Sequence, residues 1–208
     1  MPTVNSRPLR KASTSTGSRY SARSSAQTST SAARDVTSER AALIEVCAEL
    51  AAQYREPVLV EEFLSGREFT VGILGTGPDA RALATLEVVL RAGADAAVYS
   101  YRNKAQWREL VDYQLLEPGA LRRDVEQVAL ATWECLGCRD AGRVDVRLDA
   151  AGRPQMLEVN PLAGLTPEHS DLPIMAALVG LDFETLIGEI LRCTTTRLAA
   201  EAERAAAV

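Results

Sequence analysis

From about Glu39 onward the sequence predicts an α+β fold built on an antiparallel sheet, and three observations carry that prediction. Two segments place apolar residues at helical spacing. Three short β-rich runs follow one another across turn residues with no helix between them, which suits antiparallel neighbours and not parallel ones. A further pair of alternating runs flanks the turn residues Asp149 to Gly152, as a hairpin requires.

The first helix is "ERAALIEVCAELAAQY", in which Leu43, Val46, Cys47 and Leu50 share a face and Pro57 forbids continuation. "PVLVEEFL", "REFTVGILG" and "RALATLEVVL" are then read as strands, the first two separated by Ser65 and Gly66. Arg91 to Glu117 shows neither period and is long enough to be a functional loop. After Pro118 and Gly119, a second helical face runs through Leu121, Val125, Val128, Ala129, Thr132 and Leu136, and Gly137 is placed to end it.

Composition narrows the function classes. The chain has 208 residues, 47% of them hydrophobic, enough for one large domain or two small ones. No apolar run approaches the roughly 20 residues needed to cross a bilayer, and the start has no apolar signal core, so a cytoplasmic protein without a membrane partner is expected. Four scattered cysteines fit a reducing compartment better than a disulfide framework. Cys135 and Cys138 form a lone C-x-x-C. A zinc site would need two more ligands, and the single histidine, His169, lies far along the chain.

The net charge of -5 hides a division, because the first 34 residues carry six cations and no acid. That segment, rich in Ser, Thr, Ala and Arg, lacks the apolar surface to build a core, and residues 1–38 are expected to form a disordered tail before a folded domain over 39–200. Its arginines lack aromatic neighbours beyond Tyr20, and the rest of the chain is acidic, so nucleic acid is not an expected partner. A transit peptide would have the same composition but needs an amphipathic face that is missing.

The hairpin raises the chemical question. In "GRVDVRLDAAGRPQMLEVNPLAGL", Val144, Val146 and Leu148 alternate with Arg143, Asp145 and Arg147, and on the return strand Met156, Glu158 and Asn160 alternate with Gln155, Leu157 and Val159. Pairing across the turn brings Asp145 to the same face as Glu158 and Asn160. Two carboxylates held close repel unless a cation joins them, and with the amide they make three hard oxygen donors on rigid strands, which suit magnesium together with phosphate oxygens. The alternative is a polar face that meets water, with Arg143 and Asp145 as a surface pair. Periodicity alone does not separate the two.

The stretch "GCRDAGRVDVRLDAAGRPQMLEVNPLAGLTPEHSDLPIMAALVGLDFETLI" resembles the C-terminal part of D-alanine-D-alanine ligases, members of the ATP-grasp superfamily, and "VLVEEFLSGREFTVGILG" resembles their nucleotide-holding strands. The likeness runs from about Pro57 to Arg197. It is carried by R-x-D, then E-x-N-x-x-x-G, then H-S. It implies an ATP-grasp α+β fold, comprising the C-terminal nucleotide-binding lobe and part of the central one. The implied activity is an ATP-dependent carboxylate-amine ligase acting through an acyl phosphate, in peptidoglycan dipeptide synthesis. ATP and Mg2+ or Mn2+ are the implied cofactors and small amino acids the substrates, with a homodimer left open.

The resemblance assigns roles position by position. Asp145, Glu158 and Asn160 match the metal ligands. Glu61, Glu62, Phe63 and Leu64 match the adenine-binding strand and hinge, and Glu68 the acid that takes the ribose hydroxyls. Arg143 and the Gly164 amide match the groups that stabilise an oxyanion. Ser170, ahead of a helical run, matches the group that holds the second substrate's carboxylate, and a plain N-cap is its other reading. Lys104 in "YSYRNKAQW" matches the lysine of the long loop.

Three departures accompany the match. "RPLRKASTSTG" is either an eroded counterpart of the family's glycine-rich phosphate loop or low-complexity sequence. Ala105 stands where many relatives have a tyrosine. The chain also opens where the family is partway through its central domain, so a truncated ligase is expected. Beside it stand a ligase for another amino-acid pair and a silent nucleotide- or magnesium-binding module.

Overall fold

A computed structural model of the chain describes residues 20–24, 36–37, 39–90 and 111–206. The chain divides into two compact units, with the boundary between Phe63 and Leu64.

The first unit contains β1 (Tyr20–Ser24), β2 (Val36–Thr37), α1 (Arg40–Tyr54) and β3 (Val58–Glu62), with the strands in the order β2-β1-β3 and antiparallel throughout. Within the segment expected to lack structure, residues 20–24 therefore pair with β3, from Tyr20 opposite Glu62 to Ser24 opposite Val58. Backbone ladders need no apolar side chains, so a Ser/Arg-rich stretch can pair where a complete neighbouring strand is offered. In α1 the expected face holds. Leu50 is buried and Leu43, Val46 and Cys47 are half-buried, and the helix stops at Arg55, whose left-handed backbone (φ 54°) lets its N–H donate to the Ala51 carbonyl.

The second unit is a five-stranded antiparallel sheet in the order β6-β5-β4-β7-β8. Its strands are β4 (Glu68–Leu74), β5 (Arg81–Leu90), β6 (Val111–Leu115), β7 (Ala141–Leu148) and β8 (Pro154–Asn160). A single 3-10 turn, Gly77–Asp79, joins β4 to β5. Helix α2 (Ala120–Cys135) covers one face, and α3 (Asp171–Leu178) with α4 (Phe183–Ala206) covers the other.

Alternation along the strands decides which side chains meet which helix. Phe69, Val71 and Ile73 of β4 and Val144, Val146 and Leu148 of β7 pack with Val125, Ala129 and Trp133 of α2. On the other face Leu74, Ala84 and Leu86 pack with Leu172, Met175 and Ala176 of α3 and Leu186 of α4. β4 is central and buried from Phe69 to Leu74. Gly72 lets α3 approach: a Cβ there would lie 2.7 Å from Met175 Sδ and 3.1 Å from Leu172 Cδ1.

Two details differ from the sequence expectation. In α2 the buried residue of the last turn is Trp133, and Leu136 is 59% exposed. The helix ends at Cys135, so Leu136 lies past its apolar face, while Trp133 follows Ala129 by four residues and stays on it. In β8 the alternation breaks. Asp145 pairs with Glu158 but Val146 pairs with Met156, so Leu157 is a bulge residue and Met156 is out of phase with Glu158. The turn itself is as expected. Asp149 Oδ1 accepts from the amides of Ala151 and Arg153, each at 2.9 Å, and Gly152 adopts φ 78°.

The start of β7 is tied to α4 by Asp140, whose carboxylate takes two hydrogen bonds from Arg197, at 2.8 and 2.7 Å. The Arg197 hydrogen bonds hold the Asp140 carboxyl below the usual aspartate range against the opposing pull of burial. A depressed folded-state pKa means stability that is present above the unfolded value of about 3.9 and lost as pH falls through the folded one. Denaturation midpoints should therefore place the native chain above Asp140→Asn near neutrality, with the gap closing as pH falls below the ordinary aspartate range. A gap independent of pH would count against this pair.

Candidate active site on the sheet face beside α3

β4, β7 and β8 run side by side, and their register builds the site in rows. Thr70, Asp145 and Glu158 form one row, and Gly72, Arg143 and Asn160 the next. Of the expected metal ligands, Asp145 and Glu158 are thus directly opposed, and Asn160 lies two residues further along the same strand face. Its Nδ2 donates to Glu158 Oε1 at 3.1 Å.

Arg143 reaches into the middle of these acids. Its Nη2 donates to Asp145 Oδ2 at 2.9 Å and lies 3.6 Å from Glu158 Oε1, and its Nη1 pairs with Asp171 Oδ2 at the start of α3. Nε lies 2.9 Å from Asp145 Oδ1 but is not in hydrogen-bonding geometry, so it is a buried donor without a hydrogen bond. Thr70, only 4% exposed, donates its hydroxyl to Asp145 Oδ1 at 2.7 Å. The hydroxyl of Tyr113, on β6, donates to Asp171 Oδ1 at 3.1 Å.

One cation among three carboxylates has predictable electrostatics. Burial works against the charged form of Arg143, but Asp145, Asp171 and Glu158 outweigh it and hold the guanidinium firmly protonated. Burial pushes the Asp145 carboxyl up from its usual range, and Arg143 and Thr70 only partly reverse that. Asp145 is therefore a carboxylate that gains from any closer cation.

Gly164 and Ser170 are also brought together. A Cβ on Gly164 would stand 2.6 Å from Ser170 Oγ, so glycine is what admits the serine side chain. Ser170 occupies the N-cap position of α3, but its side chain makes no capping bond and instead accepts from the Thr166 amide at 3.1 Å. The plain N-cap reading is thereby corrected: the loop around Gly164 takes the serine oxygen before the helix does.

The remaining expected residues lie apart from this cluster or outside the described residues. Glu68 is on the same sheet face, 3.6 Å from Arg147 Nη1. Leu64 is half-buried at the start of the second unit. Glu61 and Glu62 end β3 in the first unit and are exposed, with Phe63 half-buried just beyond. Lys104 and Ala105, and the stretch Arg7 to Gly17, lie outside the described residues. Sequence reasoning missed Thr70, Tyr113 and Asp171 as parts of the cluster, since only the register of β4, β6 and α3 places them there.

Among the described residues no three His, Cys, Asp or Glu side chains converge as a metal cluster. A divalent cation here would be held by the Asp145 and Glu158 carboxylates and the Asn160 amide oxygen. That all-oxygen set, on adjacent rigid strands, fits magnesium or manganese and not zinc.

The antiparallel sheet and its covering helices are those of ATP-grasp ligases. A D-alanine-D-alanine ligase from Bacillus anthracis, solved in complex with ATP, superposes with a TM-score of 0.65 at 22% identity over 88% of this chain and 54% of that one. The ligase from Coxiella burnetii gives 0.66 at 16% identity, over 90% and 48%.

The family model for the D-ala D-ala ligase C-terminus matches residues 23–192, and the chain belongs to that family. The D-alanine-D-alanine ligase of Bordetella avium is 36% identical over 154 residues, which are 73% of this chain and 47% of that protein. That of Bordetella pertussis is 38% identical over 144 residues, 69% of this chain and 44% of the relative. The chain thus spans about half the length of the curated relatives it matches.

Proposed function

We propose that this chain carries the nucleotide and metal chemistry of an ATP-dependent carboxylate-amine ligase of the D-alanine-D-alanine ligase type. In that reaction the γ-phosphoryl group of ATP moves to a carboxylate oxygen, releasing ADP. An amine nitrogen then attacks the acyl carbon, the bond to the phosphate oxygen breaks, inorganic phosphate leaves and the nitrogen loses a proton. The observation that carries the reading is the opposition of Asp145 and Glu158, with Asn160 beside them and Arg143 between, inside the matched stretch.

Asp145, Glu158 and Asn160 hold the divalent cation, which supplies neutralisation of phosphate charge. Arg143 and the Gly164 amide face the oxyanion that develops when the amine adds to the acyl carbon. Ser170 Oγ, set against Gly164, holds a substrate carboxylate. The stretch Glu61 to Leu64 contacts adenine and Glu68 the ribose hydroxyls, with Lys104 as the catalytic lysine of the long loop. Small amino-acid substrates, a cytoplasmic location and a role in peptidoglycan dipeptide synthesis belong to the same reading, supported by the ligase relatives. No helix among the described residues is long and apolar enough to cross a membrane.

Calorimetric titration with ATP tests the reading. Binding should require magnesium, and Glu158→Ala or Asn160→Ala should weaken it by about tenfold or more, the scale on which even outer partners of a metal act. Equal ATP affinity with and without magnesium would overturn it.

A further inference from the structure

Arg143 has two kinds of partner. Asp145 and Glu158 are the carboxylates a divalent cation would take, and the guanidinium lies 2.9 Å from the first and 3.6 Å from the second. Asp171 belongs to neither strand of the hairpin. It sits in the first turn of α3, pairs with Nη1, and has its other oxygen fixed by the Tyr113 hydroxyl at 3.1 Å. Guanidinium and divalent cation cannot both occupy the space between Asp145 and Glu158. A cation entering there must displace the arginine, and its cost depends on what the arginine keeps.

We propose that Asp171, oriented by Tyr113, is a positioning residue that keeps Arg143 at the site when a divalent cation takes Asp145 and Glu158. It does so as the arginine's second counter-ion. The inference rests on the metal reading proposed for the hairpin. The geometry supplies the reason. Nη1 is already committed to Asp171, a partner outside the hairpin, so the contact of Nη2 with Asp145 is the one that can be given up while that pair is kept. A displaced but anchored arginine would remain next to the carboxylates that hold the cation. An unanchored one has only the metal's own ligands to pair with and therefore competes with the metal.

The test is manganese(II) binding to the 208-residue chain, read from the electron paramagnetic resonance signal of free ion. Asp171→Asn should lower manganese affinity by about tenfold, within the range of coupling seen between contacting charged groups. Asp171→Glu should restore most of it, and Tyr113→Phe, a milder change that keeps the fold if Asp171→Asn does not, should lower it by about two- to threefold. The deciding comparison uses an Arg143→Gln background, in which manganese has no arginine to displace. There Asp171→Asn should have little effect.

A full-sized loss in that background would mean that Asp171 acts on the cation directly, by charge alone, and would overturn the inference. So would unchanged affinity in both Asp171→Asn and Tyr113→Phe while Glu158→Gln still weakens binding. If Glu158→Gln leaves manganese affinity untouched, the metal reading itself fails, and this inference goes with it.

Discussion

Arg143→Ala should destabilise the metal-free chain by about 3 kcal/mol, because removing the shared partner of a buried ionic cluster leaves like charges uncompensated. That figure is at the low end of the range for breaking a buried pair, since Glu158 is 44% exposed and water screens it. Magnesium should reverse most of the loss. At about 100 times its dissociation constant it should restore about 2.7 kcal/mol. At the same magnesium concentration the gain should exceed that of the native chain, where the cation must first displace the guanidinium from Asp145. Urea titrations with and without magnesium measure both quantities. If the variant gains nothing from magnesium, no cation binds among Asp145, Glu158 and Asn160. Under the proposed ligase reaction, turnover falls in the same variant by about 10²- to 10³-fold, as for loss of one oxyanion donor. Stability would be rescued by the metal and catalysis would not.

Trp133→Ala should cost about 3–5 kcal/mol, the range for emptying a large aromatic site in a packed core. Trp133 is fully buried, and its indole N–H donates to the Gly75 carbonyl at 3.1 Å. Its ring also fills the space that glycine leaves in β7: a Cβ on Gly142 would lie 2.4 Å from one ring carbon and 2.6 Å from another. The indole and Gly142 are thus complementary, and the alanine variant leaves both a cavity and an orphaned carbonyl. Urea midpoints at unchanged slope give the number. A loss below about 1 kcal/mol would mean that α2 collapses freely onto the sheet.

The α+β character and the hairpin were legible because alternation and helical spacing are local properties. Arg143, Asp145, Glu158 and Asn160 could be placed on one side of a hairpin from their spacing and the turn at Asp149 alone. The bulge at Leu157 was not legible, as no glycine or proline marks it and strict alternation puts Met156 on the wrong face. Helical spacing alone does not separate Trp133 from Leu136, since spacing does not say on which residue a helix stops. Asp171 meets Arg143 across 28 residues, and Tyr113 meets Asp171 across 58. Those contacts depend on how closely α3 descends on Gly72 and on which strand pairs at the sheet edge. Neither is written in a local pattern.

The division of β7 between two faces has an evolutionary reading. From Gly142 to Leu148 the even-numbered residues lie against α2 and the odd-numbered ones carry charge on the opposite face. Parity thus separates two kinds of selection along a single strand. Drift at 144, 146 or 148 is answered by volume, and drift at 143, 145 or 147 by charge, with little exchange between the two. A lineage can retune the chemistry of this strand without renegotiating its packing. Gly142 is the tightest point, where an added methyl would meet both the Trp133 ring and the backbone carbonyl of Asn160, so that one position is held by the helix and by the neighbouring strand at once.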